Sequence, residues 1–124
     1  MGRVAQQCRE RDLVCGGSSL LLWCVPTLAL VLSSPLGDER WWIWSPALVV
    51  MGTACLVNAA RCGRLHCYLT GPVFLLAAVF STLRGWQRMS ISWNWIGGFS
   101  LFAWLAGYVL ELFTGPYAES TRRD

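Results

Sequence analysis

Four long apolar runs, separated by short clusters of charge, leave this chain few ways to fold. The runs cover about residues 18–36, 41–60, 68–83 and 93–113, with polar breaks at 37–40, 61–67 and 84–92. Each approaches the ~20 residues an α-helix needs to cross the hydrocarbon of a bilayer. Only 14% of the 124 residues are charged and 55% are hydrophobic, where soluble domains carry about 25% charge. A core built from so short a chain cannot hide that much apolar surface from water. The expectation is an all-α polytopic membrane protein, four transmembrane helices in a small bundle, with the lipid bilayer as its outer solvent. No room remains for a separate soluble catalytic domain, so any chemistry must sit in the bundle or on its turns.

The flanks read as polar tails, 1–17 before the helical region 18–113 and 114–124 after it, with Gly115-Pro116 stopping the last helix. The first run competes with a cleaved signal peptide, but Ser33-Ser34-Pro35-Leu36 offers no small-x-small cleavage site and the run is long for a signal core. It reads as an anchor, mildly kinked at Pro26. The start of the third run is open. Its helix begins either at Pro72 or near Leu65 with a break at Gly71.

All ten basic residues are arginines at the edges of apolar runs, a distribution set by topology and not that of a nucleic-acid arm. With four spans, Arg3, Arg9, Arg11, Arg61, Arg64, Arg122 and Arg123 share one side, and Arg40, Arg84 and Arg88 the other. The positive-inside bias then puts both termini in the cytoplasm. Trp41, Trp42, Trp44, Trp86, Trp93 and Trp95 flank the two opposite connections, as indoles at one membrane interface would.

The segment most able to carry chemistry is Asn58 to Pro72. It holds the chain's single histidine, and Cys62, His66 and Cys67 give the spacing C-x3-H-C. In a loop the three side chains would converge. Thiolate and imidazole suit soft or borderline ions such as Hg(II), Cu(I) or Zn(II), although a structural zinc site usually takes four protein ligands. Cys55 lies two helical turns from Cys62, and Cys24 sits in the adjacent span, so either could extend the ligand set. Each of these cysteines also reads as a small apolar packing residue. Arg61 and Arg64 would hold lipid headgroups or raise the thiolate fraction of their neighbours. Glu111, the one acid near a span interior, would reach water or pair with Arg61 or Arg64. Gly52, Gly97, Gly98 and Gly107 offer small faces for helix packing, within a bundle, a homo-oligomer or a complex with a partner membrane protein. Phosphate loops, paired carboxylates and Ser-His-Asp sets are missing, so no catalytic residues are assigned.

Small size, four spans and cysteines beside a cytoplasmic turn resemble the small bacterial mercuric-ion uptake membrane proteins. Those carry one cysteine pair in the first helix and often another at the cytoplasmic side. Here Cys24 stands alone before Pro26, and Cys62 and Cys67 match the second pair at a different spacing, with His66 added. The resemblance implies a carrier of a thiophilic metal ion in a bacterial plasma membrane. Two other readings come from the residues: a non-catalytic membrane subunit that packs with partner proteins, and a membrane thiol enzyme working through Cys62 or Cys67.

Overall fold

The computed structural model describes residues 20–115. The two tails, with Cys8, Cys15 and the arginines assigned to them, lie outside the described residues, as do Ser18 and Ser19 at the start of the first run. Every element described is helical. A π-helical turn, Leu20–Cys24, opens into α1, Val25–Leu32. A 3-10 segment, Ser34–Arg40, leads to α2, Trp41–Cys62. The long helices α3, Leu65–Gly85, and α4, Trp93–Thr114, follow. Three helical stretches, Ser34–Cys62, Leu65–Gly85 and Trp93–Thr114, are long and apolar enough to cross a membrane; the first apolar helix, Leu21–Leu32, is shorter than a span.

Local chemistry explains these boundaries. Pro26 has no N–H to return to the carbonyl four residues back, and the helix is widened to π form just ahead of it. Ser33 and Ser34 turn their hydroxyls onto the carbonyls of Ala29 and Leu30, and Pro35 follows. The α-helix stops there. Gly37 then takes φ 66°, ψ −138°, a conformation open to glycine alone, and redirects the chain into α2.

The middle connection is much shorter than the expected 61–67. Cys62 is still the last residue of α2, Gly63 caps it in the left-handed conformation (φ 65°), and α3 is helical again from Leu65. His66 and Cys67 are therefore in the first turn of a helix and not in a loop. Of the two starts considered for the third run, the Leu65 start holds, without a break at Gly71. Pro72 sits inside α3, where it deprives the Tyr68 carbonyl of its helical partner.

Helix α3 is the centre of the assembly, packed against α2 on one side and α4 on the other, with α1 laid on α2. Glycines permit these approaches. A Cβ on Gly52 would come within 3.0 Å of the Gly71 carbonyl oxygen, and one on Gly107 within 2.7 Å of the His66 Cβ. The larger core gathers Trp44, Leu48, Met51, Phe74, Ala77, Ala78, Trp93 and Ile96. At one end, Trp41 stacks on Trp42 at 4.1 Å and meets Trp86 at 6.3 Å, while Trp44 meets Trp93 edge-on at 5.5 Å. Asp38 joins the connections there, accepting from the Trp93 indole at 2.9 Å and from Arg84 at 3.0 Å. The two tryptophan-flanked connections thus share one end of the molecule, and the Gly63 turn marks the other.

Candidate metal centre

Near the Gly63 turn the core changes character. Cys55, Asn58, His66, Cys67 and Thr70 are all buried without measurable exposure. Cys55 and Asn58 stand one turn apart on α2. His66, Cys67 and Thr70 face them from the first turns of α3. Glu111 comes from the last turn of α4, where the small face of Gly107 lets that helix lie against His66.

The ligand atoms of Cys55, His66 and Cys67 all lie within 4.8 Å of one another. Two soft sulfurs and one imidazole nitrogen make a donor set that suits Cu(I), Zn(II) or Hg(II). The histidine is held ready for such a role. Its Nδ1 lies 2.7 Å from Glu111 Oε1, and its backbone N–H donates to the same oxygen at 3.2 Å. Nδ1–H is the donor to the carboxylate, which leaves the Nε2 lone pair facing Cys67 Sγ at 3.5 Å. Arg64 Nε is 3.3 Å from Nδ1 and 3.4 Å from Glu111 Oε1. Arg64 Nη2 donates to the other carboxylate oxygen, Glu111 Oε2, at 3.5 Å, so the guanidinium holds both the ring edge and the carboxylate behind it. A carboxylate behind a histidine is the usual support of a metal-ligating imidazole.

The other polar groups are also paired. Thr70 donates to the His66 carbonyl at 2.8 Å, so its oxygen is left to accept the Cys55 thiol at 3.3 Å. Asn58 Nδ2 approaches Cys67 Sγ at 3.8 Å. Tyr108 stacks on the imidazole face, with centroids 4.6 Å apart, and Trp104 meets Tyr108 edge-on. These neighbours fix the ring plane as well as the tautomer.

The sequence places Cys62, His66 and Cys67 in one candidate set. The structure brings His66 and Cys67 together with Cys55. Cys62 is buried in the last turn of α2, outside that group, and Cys24 is exposed on the π-helical turn. None of the described cysteines is in a disulfide. Arg64 is drawn inward to Glu111, while Arg61 stays on the exposed face of α2. The contact between Glu111 and His66 has no short-range signal in the sequence, since 45 residues separate the two. No known protein family, curated protein or solved structure matches the chain.

Proposed function

We propose that the chain is a multi-pass membrane protein that captures a thiophilic metal ion between Cys55, His66 and Cys67 and serves the uptake or delivery of that ion. The observation that carries this reading is the convergence of two thiol sulfurs and an imidazole nitrogen within 4.8 Å, with a carboxylate seated behind the histidine. Cys62 and Cys24 would act as neighbouring thiols in handing the ion on. Three helical stretches of membrane-crossing length support the location, with the shorter α1 region as the fourth segment of the bundle. The arginine distribution favours cytoplasmic termini, which would put the Gly63 turn and the metal centre at the cytoplasmic side. A bacterial plasma membrane is the setting implied by the resemblance to mercuric-ion uptake proteins.

The test is a titration of reduced protein in detergent with Zn(II), Cu(I) and Hg(II). Tight binding of one ion per chain should weaken by at least 100-fold in the Cys55→Ser/Cys67→Ser variant. Absence of binding, or binding unchanged in that variant, would overturn the reading.

A further inference from the structure

The two sulfurs of the centre lie on different helices, with a histidine beside only one of them. Cys67 Sγ faces His66 Nε2 at 3.5 Å, whereas Cys55 Sγ faces the Thr70 hydroxyl. The sulfurs are within 4.8 Å of each other. Their helices are also close at the backbone: a Cβ on Gly71, one turn along α3 from Cys67, would stand 3.4 Å from the Cys55 Cβ. Small movements of the side chains and helices would bring the two sulfurs from within 4.8 Å to the ~2 Å of a disulfide bond. We propose that Cys55 and Cys67 are a reversible redox pair, closed to a disulfide by a small neutral peroxide.

Burial selects the oxidant. Neither sulfur is exposed, and the neighbouring Arg64 and Glu111 are 7% and 9% exposed. Hydrogen peroxide is small and uncharged enough to reach them, and a tripeptide disulfide is not. Cys67 Sγ attacks one peroxide oxygen and the O–O bond breaks. The thiol proton passes by way of His66 Nε2 to the departing hydroxide, giving water and a sulfenic acid on Cys67. Cys55 Sγ then attacks the Cys67 sulfur and the S–O bond breaks. The second hydroxide leaves as water with the Cys55 proton. Two thiols lose two electrons and one peroxide becomes two waters. A small dithiol reverses the change. Closure removes both soft donors and leaves the imidazole alone. Its consequence for ion holding rests on the metal reading above, whereas the disulfide itself does not.

The experiment treats metal-free, reduced full-length protein in detergent with stoichiometric hydrogen peroxide and maps the cysteines by peptide mass spectrometry. A Cys55–Cys67 cross-link is expected, in the parent and equally in Cys62→Ser. In Cys55→Ser, Cys67 should stop at the sulfenic acid, trapped by dimedone. Glutathione disulfide should close the pair at least 10-fold more slowly than peroxide. An unreactive Cys67, or a cross-link running mainly to Cys62, in protein of parental helicity would overturn the proposal. Binding of Zn(II), Cu(I) and Hg(II) measured on the same reduced sample separates the two ideas. Cross-linking with none of the three ions bound removes the metal reading alone, and ion binding without cross-linking removes the redox pair alone.

Discussion

Glu111 sets how His66 is presented to the two thiols. By accepting from Nδ1 it fixes which imidazole nitrogen faces the thiols, and by accepting from the His66 backbone it anchors the first turn of α3. Removing the charge while keeping the shape should loosen ion binding without emptying the site. Glu111→Gln is expected to weaken zinc affinity about 10- to 100-fold, the usual cost of losing a partner behind a metal-bound histidine, with competition titration as the measurement. Cys55→Ser should lose far more than Cys62→Ser, and equal losses would count against the ligand set. His66 and Cys67 were legible in the sequence because they are adjacent and unusual in an apolar chain. Cys55 and Cys62 were harder to rank. Seven residues is close to two full turns, so both lie on one face of α2 about 10 Å apart along its axis. Which level meets His66 depends on the length of the turn, and the sequence reading allowed a loop through Cys67. With the turn reduced to Gly63-Arg64, Cys62 and Cys67 belong to separate helices and the deeper thiol joins the group.

Among the elements, α4 depends most on a single small residue. A methyl on Gly107 would stand 2.7 Å from His66 Cβ and 3.1 Å from its Cα, where neither atom can yield without moving α3. Gly107→Ala should cost about 1–3 kcal/mol, the range for overpacking, and should weaken ion binding with it. Gly98 has open space where its Cβ would go, so Gly98→Ala should leave the midpoint in a detergent unfolding titration unchanged. The long helices were legible because their apolar runs and stop signals agree. Gly63 as a cap was not, since it sits within a polar segment that reads as a longer loop. Pro72 was half legible. Proline suits the first turn of a helix, and only packing between α2 and α4 keeps α3 helical on both sides of it.

For the molecule as a whole, the tryptophan end and the Gly63 end are chemically distinct. Asp38 ties the first connection to Arg84 and Trp93 of the last two helices. In a bilayer, single cysteines placed at the exposed positions 39 and 89 of an otherwise cysteine-free variant should label from one side with a membrane-impermeant maleimide. A cysteine at the exposed position 61, beside the Gly63 turn, should label from the other. Labelling of residues 39 and 89 from opposite sides would refute the paired-connection topology. The core between the two ends has a further consequence. Trp44, Leu48, Met51, Phe74 and Ile96 pack the interior on the tryptophan side of the centre, while Arg64 and Glu111 border it on the other. An ion held there would be walled off from the tryptophan end by packed side chains, so the pace of any hand-off would be set by the opening of one buried ion pair, and the rate of supply would saturate early.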